Sequence, residues 1–248
     1  AGSNFVLSYF AFTGKIQRVF RDNEFLTFVK FIFVFSVIVF SVLVTQIDLN
    51  TDYFDHPQVY GKVESSLRHS IFQVLAIVTT TGFVTADYTS WNSFLTVFFF
   101  GLMFLGGSAG STSGGIKVVR HLLMFKSGFL EFKRALHPNA IIQPRFNDKV
   151  VSQEIIGNIL AFFILYMLSF IIGSLVFGLM GLDFVSAIGV AASSIGNVGP
   201  ALGDYGPSGN FSQLPSAGKI WSSFLMLIGR LELFTVLILL TPSFWSKN

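Results

Sequence analysis

The most constraining feature of this sequence is an alternation of long and short apolar segments. The windows 25–45 and 155–180 each hold the roughly 20 apolar residues that cross a bilayer core of about 30 Å. Further long windows lie at 91–125, which is interrupted, and at 220–240. The 248 residues are 52% hydrophobic and only 12% charged, a composition that excludes an ordinary soluble domain. The sequence therefore predicts an all-α integral membrane protein.

The positive charges are concentrated in one connection between these windows. They are Lys117, Arg120, Lys126, Lys133, Arg134, Arg145 and Lys149, whereas the segment 48–70 has four acidic residues and only two basic ones, Lys62 and Arg68. The positive-inside rule then predicts that 117–150 is cytoplasmic and that 48–70 is external. A nucleic-acid-binding patch needs this charge density on a soluble domain, so no nucleic-acid partner is expected. Because the chain has no cysteine, disulfides and thiolate metal sites are excluded.

Two short apolar segments, 67–78 and 183–192, are the second part of the pattern. The first holds about three helical turns, roughly 18 Å, which reaches only about halfway through the bilayer. Each segment must therefore turn back, and the predicted turns contain hydroxyl side chains before a glycine. The first turn is Thr79, Thr80, Thr81 and Gly82, and the second is Ser193, Ser194, Ile195, Gly196 and Asn197. The order of span, half-helix, turn and span occurs twice, as a tandem repeat.

A half-helix that ends inside the bilayer directs the negative end of its dipole toward the centre, which favours a cation there. Turn carbonyls can replace the hydration shell of such a cation, and glycine permits the backbone angles that this requires. The nine turn residues are therefore candidate filter ligands through their backbone oxygens. A re-entrant loop that only caps a helix bundle is the alternative.

A run of small residues interrupts the span 91–125. It consists of Gly106, Gly107, Ser108, Ala109, Gly110, Ser111, Thr112, Ser113, Gly114 and Gly115. Non-helical backbone at membrane depth is tolerated only inside protein or beside a wet cavity. This loop therefore either lines the path of a transported ion or is a static kink that accommodates close helix packing. Residues 106–110 also match G-x-S-x-G, which makes an intramembrane serine hydrolase a second alternative, although the strand–turn–helix context of that motif is missing.

Arg230 is the most informative single charge, because it lies near the middle of the last window. A charge at that depth is costly unless it faces a cavity or a partner. Glu232 is only two residues away and does not face Arg230 on one helix. We expect Arg230 to oppose cations and to hydrogen-bond carbonyls of the loop 106–115, and we expect Glu232 to pair elsewhere, with Lys117 as a candidate.

Several of these motifs together resemble the Trk/Ktr/HKT family of potassium-uptake subunits, specifically the Trk type. They are the two turns, the glycine-rich loop followed by Ile116-Lys117, and the stretch from Gly229 to Thr235. The resemblance implies a pore subunit of four span–loop–span repeats around one potassium filter, of which this chain resembles the third and fourth. It also implies that 106–115 is a gate below the filter, with Lys117 and Arg230 beside it.

The resemblance carries expectations about organisation, partners and location. The units are a cytoplasmic lead-in at 1–24, a repeat with the gate at 25–129, a cytoplasmic connector at 130–152 and a second repeat at 153–248. Expected partners are membrane lipid, a cytosolic nucleotide-binding regulatory ring, a dimer mate, and either an N-terminal half or a second copy to complete the pore. The expected location is the bacterial inner membrane, with no enzymatic activity. A non-conducting half-transporter scaffold is the alternative.

Overall fold

The computed structural model describes residues 2–46, 62–137, 143–147 and 149–230. In chain order its helices and strands are α1 Phe5–Phe12, α2 Ile16–Phe20, α3 Asn23–Gln46, α4 Lys62–Val78, α5 Ser93–Leu102, α6 Val118–Leu136, β1 Arg145–Phe146, β2 Lys149–Val150, α7 Gln153–Leu179, α8 Phe184–Gly196 and α9 Ser216–Arg230. Much of the predicted external segment 48–70, the second half of the window 220–240 and Glu232 lie outside the described residues.

The helices form two units of the same build, as the alternation of apolar segments predicts. In each unit a long helix, α3 or α7, packs against a shorter helix, α4 or α8. A turn and a further helix follow. With 24 and 27 residues, α3 and α7 extend about 36 and 40 Å at 1.5 Å per residue, and both are apolar enough to cross a bilayer. Many of their apolar side chains face outward, as expected for contact with lipid tails; Phe33 is 68% exposed and Ile164 is 65% exposed.

The first apolar cluster lies mainly in the first unit and reaches Ala192, Val198 and Leu202 of the second, the second cluster lies in the second unit, and a third also joins the units. The first contains Val39, Leu43, Val74, Ile77, Tyr88 and Phe99, and the second contains Phe177, Val190, Ala191 and Leu225. The third cluster includes Ile116, Tyr166, Ile195 and Ile228, with Phe104 packed against it. Lipid is as apolar as these side chains, so close packing rather than escape from water must stabilise the contacts.

Glycines allow part of this close approach. A Cβ atom on Gly173 of α7 would lie 2.9 Å from the Leu225 Cδ1 atom of α9, and one on Gly189 of α8 would lie 2.6 Å from the Leu202 amide nitrogen. Side chains at these two positions would separate α8 and α9 from their neighbours. Small residues therefore hold the second unit together, as is common between membrane helices.

The cytoplasmic connector contains the hairpin of β1 and β2, which pair antiparallel. Asn147 at its tip has a positive φ of 46°. The Asn147 Nδ2 atom donates to the Asp22 carboxylate at 2.8 Å, and the Asn147 Oδ1 atom accepts from the Asn23 amide at 2.8 Å. The hairpin tip thus caps the start of α3, and it joins the connector to the beginning of the first span.

Four elements differ from the sequence prediction. Helix α6 continues to Leu136, inside the predicted connector 130–152. Helix α4 begins five residues earlier than the predicted 67, because the polar residues at its start are compatible with helix on the external side. Helix α8 continues through Gly196 instead of ending at 192. The predicted lead-in 1–24 forms α1 and α2, and its first described residue, Gly2, lies against the loop 106–115 and the first turn.

Candidate functional site

The two short helices end in turns with the same backbone conformation. After α4, positive φ angles occur at Thr80 (52°) and Gly82 (72°), and after α8 they occur at Asn197 (54°) and Gly199 (113°). Thr80 and Asn197 are 117 residues apart in the chain, and so are Gly82 and Gly199. The turns are therefore equivalent, with Gly199 in the position of Gly82.

This equivalence corrects the predicted second turn. Ser193, Ser194, Ile195 and Gly196 lie in the last turn of α8, and only Asn197 follows it. The carbonyls of Ser193 and Ser194 accept hydrogen bonds from the amides of Val198 and Asn197, at 3.0 and 3.1 Å, so helix capping already uses them. The glycine of the second turn is therefore Gly199, three residues after the predicted Gly196.

Gly82 and Gly199 meet face to face. A Cβ atom built on Gly82 would lie 2.5 Å from the Val198 carbonyl oxygen and 3.5 Å from the Gly199 Cα atom. A Cβ atom on Gly199 would lie 3.4 Å from the Gly82 Cα atom. Two reasons thus require glycine at position 82, the positive φ and the closeness of the second turn.

The turns present carbonyl oxygens that have no protein donor in the described part of the chain. They belong to Thr79, Thr80, Thr81, Gly82, Asn197 and Val198. The amides of Thr81 and Gly82 donate back to the Ala76 carbonyl of α4, at 2.9 and 3.4 Å. The Gly199 carbonyl instead accepts from the Ser193 hydroxyl at 2.8 Å. The turn backbone is consequently rich in free acceptors, which is the chemistry that suits a dehydrated cation.

A cavity of about 690 Å³ lies beside the turns. Thr80, Gly82, Asn197 and Gly199 contribute to its wall, and Tyr205 and Ser222 line the side toward the second unit. The cavity is therefore bounded by the ends of both short helices. Because each helix directs its C-terminus at a turn, the negative ends of two helix dipoles converge near this cavity.

The loop 106–115 keeps most of its backbone groups paired. The Gly106 amide donates to the Ile116 carbonyl at 2.7 Å, and the Ile116 amide donates to the Phe104 carbonyl at 3.1 Å. Two serines of the loop supply part of this pairing: Ser113 accepts from the Gly107 amide through Oγ at 2.9 Å, and Ser111 donates to the Ser108 carbonyl. The Ser108 Oγ atom has no partner among the described residues, and Thr112 is exposed.

This loop contacts both turns. The Gly114 amide donates to the Thr80 Oγ1 atom at 3.0 Å, and a Cβ atom on Gly114 would lie 2.3 Å from the Gly196 carbonyl oxygen. On its other side, the Ser108 amide donates to the Gly2 carbonyl at 2.8 Å. Residues 106–115 are thus packed directly against the ends of α4 and α8.

Two charged side chains of opposite sign bind the loop. The Lys117 ammonium donates to the Ser113 carbonyl at 2.8 Å and to the Ser111 carbonyl at 3.0 Å. The Glu24 carboxylate, which is 4% exposed, accepts from the amide of Ala109 at 2.5 Å and from the amide of Val119. Glu24 therefore joins the loop to the start of α6, a role that the sequence did not reveal.

Arg230 does not make the hydrogen bonds predicted for it. It is the last described residue of α9, its side chain is exposed, and it has no hydrogen bond or ion pair among the described residues. The loop carbonyls that we expected it to bind accept from Lys117 instead, because Lys117 follows the loop directly in the chain.

Comparisons with known proteins identify the relatives of this chain. A family described as TrkH, cation transport protein, matches residues 8–247. The chain is 36% identical over 248 residues to the Trk system potassium uptake protein TrkH of Escherichia coli strain K12, a match that covers all of this chain and 49% of that protein. It is 40% identical over 184 residues to TrkI of Halomonas elongata, covering 74% of this chain and 37% of that protein.

A solved structure has the same fold. The crystal structure of the potassium transporter TrkH from Vibrio parahaemolyticus superposes with a TM-score of 0.86 and 32% sequence identity, over 99% of this chain and 50% of that one. The chain thus spans about half the length of the curated relatives it matches.

Proposed function

The chain belongs to the TrkH family of cation transport proteins, and on that premise we propose that it forms part of a pore for potassium uptake. The family is one of multi-pass proteins of the bacterial inner membrane, which is the location predicted for this chain. The expected absence of enzymatic activity is confirmed by the relatives, which are named as potassium uptake proteins. The serine hydrolase alternative is therefore wrong.

The observation that carries the proposal is the pair of equivalent turns at the ends of two half-helices. Free carbonyls line the turns, and two glycines at positive φ bring the turns together at Gly82 and Gly199. A potassium ion that leaves water needs several oxygens at short range, which such carbonyls supply. The filter ligands in this proposal are the carbonyls of Thr79, Thr80, Thr81, Gly82, Asn197 and Val198, and Gly199 places the second turn against Gly82. Ser193, Ser194, Ile195 and Gly196 support the turn from α8.

The loop 106–115 is the gate in this proposal. Its contacts with Thr80 and Gly196 support a position directly beside the filter, where a shift of a few ångströms would change access. Lys117 occupies loop carbonyls with its ammonium, so a tethered positive charge stands near the path of the transported cation. Arg230 adds a second positive charge from α9 and raises the electrostatic barrier to cations.

The filter is tested with potassium and sodium flux in proteoliposomes. The protein is a hybrid in which this chain replaces the matching half of Escherichia coli TrkH, so that the pore has its full length. We expect Gly82→Ser to reduce the preference for potassium strongly, because the side chain meets the Val198 carbonyl. Gly101→Ser is the matched control, since a Cβ atom there has open space. Equal selectivity in all three proteins would refute the filter assignment.

Further pore units and a regulator are the proposed partners. Two units enclose half of a pore, and the other half comes from an N-terminal portion or from a second copy. A regulatory nucleotide-binding ring is proposed to dock on the basic cytoplasmic surface, where Lys126, Lys133 and Arg145 line a cavity of about 350 Å³. Charge-reversal of these three residues should abolish regulator binding in a pull-down and leave basal flux intact; unchanged binding would contradict this docking site.

A further inference from the structure

A buried tyrosine connects the two units just beyond the turns. Tyr88 follows the first turn and is 0% exposed, and its hydroxyl donates to the Ala201 carbonyl at 3.1 Å. Ala201 lies two residues beyond Gly199, in the second unit. The bond therefore joins the return segment of one unit to the return segment of the next.

Both ends of this bond are held by their surroundings. The Tyr88 ring packs on the Phe99 ring with centroids 4.6 Å apart, and Phe99 is itself fully buried. On the other side the Ala201 amide donates to the Tyr205 carbonyl at 2.9 Å. Since neither partner can rotate away freely, the bond fixes the separation of the two return segments.

One other side-chain hydrogen bond joins the return segments in the described part of the chain. It runs from the Ser208 hydroxyl to the Asp87 carboxylate, at the exposed rim. Water competes for both of those groups, so that bond contributes less to the spacing than the buried one. The fixed distance between the units depends mainly on Tyr88.

We propose that Tyr88 is a positioning residue that sets the spacing of the two turns and thereby the selectivity of the pore for potassium over sodium. This inference rests on the proposed function, because it assigns a selectivity role within the same filter. In the size-based mechanism of selectivity, a filter favours potassium because its oxygens are kept from closing around the smaller sodium ion. The Tyr88 hydroxyl restrains the segment that leads out of Gly199, and so it opposes that closure.

The repeat predicts an equivalent hydrogen bond on the outer side of the second unit. Tyr205 stands 117 residues after Tyr88, and Ala201 stands 117 residues after Val84. Tyr205 lines the cavity beside the turns, and its hydroxyl has no hydrogen-bond partner among the described residues. By the same geometry it donates to the corresponding carbonyl of the neighbouring pore unit, two residues beyond that unit's turn glycine.

The test compares Tyr88→Phe, Tyr205→Phe and the unchanged hybrid defined above for potassium and sodium flux. Tyr166→Phe is the matched control, because Tyr166 is 1% exposed and its hydroxyl has no partner in the described residues. We expect the sodium-to-potassium flux ratio to rise about fivefold in Tyr88→Phe and in Tyr205→Phe, the effect of losing one buried neutral hydrogen bond. A merely structural role would lower both fluxes in parallel and leave the ratio unchanged.

The outcomes separate this inference from the proposed function. An unchanged hybrid without potassium selectivity would refute the proposed function itself. A selective hybrid whose Tyr88→Phe variant keeps the same ratio would overturn the positioning role. A change of the flux ratio in Tyr88→Phe without a change in Tyr205→Phe would overturn the extension to the neighbouring unit. An equal change in Tyr166→Phe would overturn the positioning role of Tyr88, because the Tyr166 hydroxyl makes no such bond in the described residues.

Discussion

At the scale of single residues, the site depends on a few backbone carbonyls and on the side chains that occupy or release them. Lys117 is the clearest case, because its ammonium bridges the carbonyls of Ser111 and Ser113 as a bound cation would. A lysine is a compact charge with three donors, which suits such a cluster of oxygens. Replacing Lys117 should therefore weaken the closed form of the proposed gate and leave the proposed filter unchanged.

We predict that Lys117→Gln raises the basal potassium flux of the hybrid about tenfold, since a hydrogen bond from a charged group contributes about 1.5–3 kcal/mol to the closed loop. The potassium-to-sodium ratio should stay constant. Lys126→Gln is the control, because Lys126 is only partly buried on α6 and its one hydrogen bond in the described residues goes to the Arg145 carbonyl. Unchanged basal flux in Lys117→Gln would mean that the Lys117 ammonium does not keep the gate closed.

Arg230→Ala tests the second positive charge. We predict a higher single-channel conductance or initial flux, because the side chain adds a barrier to cations that approach the filter. Glu131→Ala, which removes an exposed ion-pair partner of Arg134 on α6, provides a charge control away from the path. Equal flux before and after the Arg230 substitution would show that Arg230 is not part of the gate.

Sequence reasoning reached some of these residues and missed others for physical reasons. Thr79–Gly82 could be predicted, because glycine follows the threonines directly after an apolar run. Gly199 was missed because Gly196 stands nearer to the serines, and nothing local shows that α8 continues through Gly196. Glu24 was missed because a carboxylate at the start of a span looks like an ordinary solvated charge, and only the fold brings Ala109 to it.

At the scale of elements, the half-helices matter through their direction and their ends. Helix α8 is fixed at its start by Asp183, whose carboxylate accepts from the amides of Val185 and Ser186 at 3.1 and 3.2 Å. Hydrogen bonds from the Ser186 hydroxyl and from these amides lower the pKa of Asp183. The charged form of this cap is therefore favoured in the folded state.

The sign of this pKa shift gives a pH-dependent prediction. A carboxyl whose pKa is lower in the folded state stabilises the fold above its ordinary pKa of 3.8, and that contribution is lost as the pH falls through the folded-state pKa. Asp183→Ala should lower the free energy of unfolding by about 1 kcal/mol at pH 7, as for other N-caps. Thermal melts in detergent at pH 7 and below pH 3 check this.

Asp183→Asn is the matched variant, because an amide oxygen still accepts from the two helix amides. It should keep most of the stability at pH 7 and lose the pH-dependent part. An Asp183→Ala variant that melts with the unchanged protein at pH 7 would show that the cap does not stabilise α8.

The number and type of the elements could be predicted better than their bounds. Span length, half-helix length and the ten small residues of 106–115 are all local properties of the sequence. The end of α8 and the folding of 1–24 into α1 and α2 depend on contacts between distant segments. Gly2 against the loop is one such contact.

At the scale of the whole molecule, two equivalent units meet at Gly82 and Gly199 and share the loop 106–115 between them. The 117-residue offset makes each turn the counterpart of the other, and the relatives are about twice as long as this chain. The arrangement is consistent with the proposed filter, in which one motif is repeated. Its central claim is that Gly199, and not Gly196, completes the cation path with Gly82.

The most direct measurement of that claim is the potassium-to-sodium flux ratio of the hybrid, before and after Gly199→Ser. Gly178→Ser is measured beside it, because a Cβ atom at Gly178 meets nothing within 4 Å. We expect a potassium-selective hybrid, a ratio near unity for Gly199→Ser and full selectivity for Gly178→Ser. A hybrid with no potassium preference, or a Gly199→Ser variant that keeps the preference, would contradict it.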